Sequence, residues 1–172
     1  MAYQFIVETG EIIPGANSYA SVEEADEYLS QNIHVYPAWV GLGLDIQQKL
    51  LSWATRYLDQ RARWTGRPVT AEQPLRHPRV GLKNADGIGI PSNIIAPQLK
   101  HATIEMARYL IDSDRSTERP QDGLKKLKVD VIELVFKEGY VLPEVPSEIN
   151  SILEGIGYLI SGASGHAKIR RA

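Results

Sequence analysis

The chain has 172 residues, 43% hydrophobic and 23% charged, with 19 basic against 21 acidic side chains, a formal net charge of -2 and no cysteine. That length gives one domain able to bury a core unaided, while the missing thiols exclude disulfides and thiolate metal sites and suggest an intracellular protein. No apolar run reaches the roughly 20 residues that a bilayer span needs, and MAYQFIVETGEI has neither a basic n-region nor a continuous apolar stretch, so a soluble, unprocessed chain is expected.

The charge is unevenly distributed. Residues 1–60 hold Glu8, Glu11, Glu23, Glu24, Asp26, Glu27, Asp45 and Asp59 against Lys49 and Arg56, whereas residues 61–83 hold Arg61, Arg63, Arg67, Arg76, Arg79 and Lys83 against Glu72. Lys168, Arg170 and Arg171 close the chain. Faces of opposite sign suit contact between subunits as well as contact with nucleic acid, and a net charge of -2 speaks against a dedicated DNA binder.

In chain order, Tyr3 to Val7 has the pattern of a short strand, ended by the turn-rich Pro14-Gly15-Ala16-Asn17-Ser18. Ser21 with Glu24 three residues on forms a capping box, opening a helix that carries Val22, Ala25, Tyr28 and Leu29 and ends near Gln31 or Asn32. A loop follows through Pro37, Trp39 and Gly43, and Asp45 is the candidate cap of a second helix bearing Leu50, Leu51, Ala54, Tyr57, Leu58 and Arg61.

Residues 62–96 form a long connector. Its stretch from 73 holds Leu75, Val80, Leu82, Ile88, Ile90, Ile94 and Ile95 between Pro and Gly breakers, more apolar content than a solvated linker needs. It therefore reads as a loop packed on a neighbour, with Leu75, Val80, Leu82 and Ile88 as candidate subunit-interface residues. Pro97 opens a third helix with Leu99, Ala102, Thr103, Met106 and Leu110. Between Leu127 and Phe136 the apolar alternation slips phase, as a bulged strand or two short strands would produce. Pro146 opens a last helix carrying Ile149, Ile152, Leu153, Ile156, Leu159 and Ile160. Residues 162–172 make a flexible basic tail. The expected fold is mainly α: a domain over residues 1–161 with about four helices, a minor β element and a packed connector.

Catalytic signatures are missing, so no enzyme and no cofactor are expected. His34, His77, His101 and His166 have no partner at metal-ligand spacing. Gly87-Ile-Gly89 lacks a following helix and meets Pro91 where a dinucleotide loop needs glycine. Gly162-Ala-Ser164-Gly165 fails as a nucleophile elbow because His166 stands in the second glycine's place. Asp112 and Asp114, two apart, point to different sides.

Arg61, Arg63, Trp64, Arg67, Arg76 and Arg79 interleave cations with an aromatic, the composition of a single-strand-binding groove. The competing reading makes Trp64 a packing anchor, in register with the second helix's apolar face, and pairs the arginines with acidic residues. Trp39 and Trp53 read as packing residues rather than base platforms.

Gly15-Ala-Asn-Ser-Tyr19, Ala25-Asp-Glu-Tyr-Leu29, Ala54-Thr-Arg-Tyr-Leu-Asp59, Gln73-Pro-Leu-Arg-His-Pro-Arg79, Ile90-Pro-Ser, Leu99-Lys-His-Ala102 and Glu105-Met-Ala107 together resemble a tailed-phage family labelled DnaT-like single-stranded-DNA-binding protein. His77 departs from it, standing where members usually show tryptophan before the Pro-Arg pair. The resemblance implies a virion protein assembled in the host cytoplasm, a head-to-tail adaptor forming a twelvefold ring beneath the portal. Its partners would be other copies of itself, the portal, a downstream neck or tail protein and DNA passing through the channel, with no membrane. Lys168, Ile169, Arg170 and Arg171 would then dock into the portal. The alternative takes the label literally, as a single-stranded-DNA-binding or primosome-like accessory protein.

Overall fold

The computed structural model describes residues 3–111 and 146–160, with the backbone of two short strands at 126–129 and 132–135. Five helices and three two-stranded antiparallel sheets make up the described residues, so the fold is mainly α with minor β.

Helix α1 (Val22–Ser30) starts at the expected capping box: the Ser21 hydroxyl accepts the Glu24 N–H at 3.2 Å and the Glu24 carboxylate accepts the Ser21 N–H at 2.9 Å. A short α2 (Tyr36–Gly41) lies where a loop was expected, six residues being too few to display a helical period. It seats the buried Trp39, whose indole N–H donates to Asp26 at 2.6 Å. Helix α3 (Leu44–Arg61) is capped by Gly43, not Asp45, which sits in the first turn and pairs with Lys49 at 2.6 Å. Helix α4 (Pro97–Leu110) begins at the proline whose missing N–H costs a first turn nothing.

The main core lies between α3 and α4, with α1 and α5 (Ser147–Ile152) closing it. Leu29, Leu51, Leu58, Leu99, Met106 and Ile149 are at most 1% exposed there, each such side chain contributing about 2 kcal/mol by leaving water.

Three expectations fail locally. Tyr3 to Val7 makes only a single parallel bridge, Val7 to Ser18, rather than a strand. The last helix stops at Ile152 instead of running to Ile160: Gly155 turns the chain at φ +88°, where a Cβ would lie 2.6 Å from the Asn84 backbone. The chain then enters strand β6 (Gly157–Leu159), which pairs with β1 (Ala62–Trp64). The connector is likewise not all loop. It contains β1 and the pair β2 (Arg67–Pro68) with β3 (Arg79–Val80). The phase slip after Leu127 resolves into two strands, β4 (Lys126–Val129) and β5 (Ile132–Val135), paired with Lys126 opposite Val135.

The connector covers the chain's own core. Leu82 is 2% exposed within it, which removes it from any surface a second subunit could meet. Leu75 packs against that core while partly exposed, Val80 is half-buried and Ile88 is exposed. The tail residues Lys168, Ile169, Arg170 and Arg171 lie outside the described residues, as do Phe136, Asp112, Asp114 and His166.

Candidate nucleic-acid groove on helix α3

Helix α3 has two faces. Leu50, Leu51, Ala54 and Leu58 point into the core. Lys49, Ser52, Trp53, Arg56 and Gln60, spaced by three, four, seven and eleven residues from the first, share the other face. That face forms one wall of an open groove of about 890 Å³, and the connector segment from Pro68 to Arg76 forms the other.

Each wall is held by hydrogen bonds. At one end the Tyr3 hydroxyl donates to the Gln48 carbonyl at 3.0 Å and lies 2.8 Å from Ser52 Oγ, laying its ring along α3 with 47% of its surface exposed. Ser52 donates to Asn17 Oδ1 at 3.1 Å, which ties the N-terminal segment to the helix. In the connector the Gln73 side-chain oxygen accepts the N–H groups of Val69 and Thr70 at 2.9 and 3.2 Å. Its amide nitrogen donates to the carbonyls of Leu75 and Pro78 at 2.7 and 3.1 Å, so this one side chain folds the loop into a wall.

Asp59 joins the walls. One carboxylate oxygen accepts the Tyr19 hydroxyl at 2.7 Å and the other accepts the Arg76 N–H at 3.1 Å. The Tyr19 oxygen in turn accepts the His77 N–H at 3.1 Å. Burial raises the Asp59 carboxyl to about 6, against the opposing pull of the Tyr19 and Arg76 hydrogen bonds and the Arg76 and Arg79 charges. Burial, with the Asp59 charge beside it, also lifts the Tyr19 phenol well above its usual value.

The groove therefore presents Lys49, Arg56 and Arg76 as cations, Trp53 and Tyr3 as partly exposed aromatics, and Asp59 as its one lining acid among the described residues. Lys49 also has Asp45 beside it, an exposed pair of little strength. Among the described residues no group of three or more His, Cys, Asp or Glu side chains could hold a metal ion. The cations suit a phosphate backbone and the ring faces suit bases.

Only one of the six contact residues expected from sequence lines this groove, Arg76. Trp64 sits ring edge to face with His77 at 4.6 Å, and the Cβ missing from Gly157 would fall 2.7 Å from its Cε3 atom, so it is a packing anchor. Arg79 is 8% exposed, and its guanidinium donates to the carbonyls of Thr65 at 2.7 Å, Arg76 at 3.2 Å and Gly66 at 2.8 Å. No phosphate can reach it without undoing that corner. Arg61 lies 5.1 Å over the Tyr57 ring, while Arg63 and Arg67 are exposed on β1 and β2, outside the groove lining. Tyr3, Lys49, Trp53 and Arg56 line the groove without having been expected to. The signal was available: Lys49, Trp53 and Arg56 recur at i, i+4 and i+7 on the polar face of α3.

Compared with known proteins, residues 3–172 match the family model described as DnaT-like ssDNA binding protein. No curated protein and no solved structure matches the chain.

Proposed function

We propose, for a chain that belongs to the DnaT-like ssDNA binding protein family, that the groove on α3 holds a single strand of DNA. The observation that carries this reading is the facing of Lys49, Trp53 and Arg56 on one wall to Arg76 on the other, with Tyr3 along the helix. Phosphates run along the cations and bases stack on Trp53 and Tyr3. Stacking accepts any base, because each base has a π-face worth about 1–3 kcal/mol on an aromatic side chain. A duplex hides those faces, so the groove favours single strands. Three cations on a chain of net charge -2 give modest, salt-sensitive affinity.

The test is fluorescence anisotropy of a labelled oligo(dT) titrated across a range of salt. Three phosphate contacts give a slope of log K on log salt of about -2, and Arg56→Ala makes it shallower by about 0.7. Binding that is absent at low salt, or indifferent to Arg56→Ala, contradicts the reading.

A second reading rests on a different observation. Ile33, Val40, Leu44 and Ile46 are all exposed around α2 and the start of α3, and no Asp, Glu, Lys or Arg occurs between Tyr28 and Leu44. An uncharged apolar surface of this kind suits protein contact. It supports the head-to-tail adaptor, a virion protein whose copies ring the DNA channel beneath a portal and bind a neck or tail protein, its basic tail docked into the portal. Light scattering over a range of concentrations tests it: a discrete ring supports the adaptor, and a monomer that fails to co-purify with a portal counts against it.

A further inference from the structure

We infer that Asp59 is a proton-operated control of the groove: ionised, it sets a negative charge among the cations that hold the strand, and protonated, it removes that charge and the strand is held more tightly. This rests on the reading of the groove as a single-strand site. Asp59 is placed for the role because it lines the groove and is also built into the structure below it, with both carboxylate oxygens accepting hydrogen bonds. An exposed acid would be screened by solvent and salt. This one is half-buried.

The charged and titratable groups around it come from three directions. Tyr19 faces it from the N-terminal segment, donating its hydroxyl. Arg76 and Arg79 approach from the connector, one through its N–H and charge and the other through charge alone. His77, also in the connector, reaches it through Tyr19, and its ring is held neutral by burial, down at about 3. On α3 itself Arg56 and Lys49 share the groove lining. The free carboxyl, at about 6, is thus mostly ionised at neutral pH and gains its proton just below.

A bound strand changes that balance in one direction. Its phosphates add negative charge beside Asp59 and engage the Arg76 charge that otherwise favours the ionised carboxylate. The bound form therefore holds a proton more tightly than the free form, and binding draws a proton from solvent onto Asp59. By linkage, uptake of one proton steepens affinity by at most about tenfold per pH unit.

The experiment follows oligo(dT), which has no base titrating in this range, bound to the whole chain between pH 5.5 and pH 7.5. Wild-type affinity should rise roughly three- to tenfold as the pH falls across that interval. Asp59→Asn should bind at pH 7.5 about as tightly as wild type at pH 5.5, with the pH dependence gone. Calorimetry on the wild type at pH 6.5, in two buffers of different ionisation heat, should show proton uptake on binding, a readout that survives if Asp59→Asn fails to fold. A variant that keeps the wild-type profile overturns the inference. A flat wild-type profile, or no uptake, overturns it while leaving the groove intact. If oligo(dT) binds at no pH, the groove reading fails and this inference falls with it.

Discussion

His77 is 1% exposed, wedged edge to face against Tyr19 at 5.8 Å and Trp64 at 4.6 Å, and neither ring nitrogen has a hydrogen-bond partner among the described residues. Burial, aided by the nearby Arg79 charge, lowers it from 6.5 to about 3. Its stabilising effect is therefore full above 6.5 and is lost as the pH falls toward 3. Asp59 has the opposite sign: raised from 3.8 to about 6, it stabilises fully below 3.8 and loses that effect as the pH rises through 6. Between pH 7.5 and pH 5 the imidazole costs the wild type about 2 kcal/mol, and the carboxyl returns about 1 kcal/mol. His77→Phe keeps an aromatic ring and deletes the imidazole's titration. Urea denaturation at the two pH values measures both proteins. The stability difference between variant and wild type should move by about 2 kcal/mol in the variant's favour on going from pH 7.5 to pH 5. Any fixed packing penalty of the larger ring cancels in that comparison. Parallel pH profiles would refute the claim that His77 is buried neutral.

The Glu8 carboxylate is fully buried and accepts the N–H groups of Gly10, Ile12 and Ile13 at 2.8, 3.0 and 2.9 Å, so Glu8→Ala should cost about 3 kcal/mol in a thermal melt, with Glu8→Gln recovering part of it. Gly157→Ala drives a Cβ to within 2.7 Å of the Trp64 ring and 2.9 Å of the Arg63 carbonyl oxygen, and chemical denaturation should register a loss of about 2 kcal/mol. Trp53→Ala should weaken oligo(dT) binding by about 1–3 kcal/mol in anisotropy titrations, whereas Arg63→Ala should leave it within error.

The helical frame was legible because its signals are local. The Ser21 and Glu24 capping box, Pro97 at the head of α4 and the apolar stripe from Leu50 to Leu58 each mark an element without help from distant residues. The β pairings were not, since β1 and β6 meet across more than ninety residues and each is three residues long, too short for an alternating pattern. The groove was not legible for a related reason. Counting cations along the connector favoured Arg61 to Arg79, but charge density in sequence does not reveal which guanidinium is turned inward onto three carbonyls, as that of Arg79 is. Nor does it show that Tyr3 lies against α3, forty-five residues from its partner Gln48. Periodicity exposed the core face of α3. The same count applied to its polar face would have found Lys49, Trp53 and Arg56.

Ultraviolet cross-linking locates the bound single strand on the protein. Oligo(dT) carrying photoreactive bromouracil, irradiated with the whole chain and digested for mass spectrometry, should attach to Trp53 or Tyr3, the two aromatics that line the groove. Attachment to Tyr158 or Trp64 on the β1–β6 pair, with none on Trp53 or Tyr3, would contradict the account and move the strand to another face.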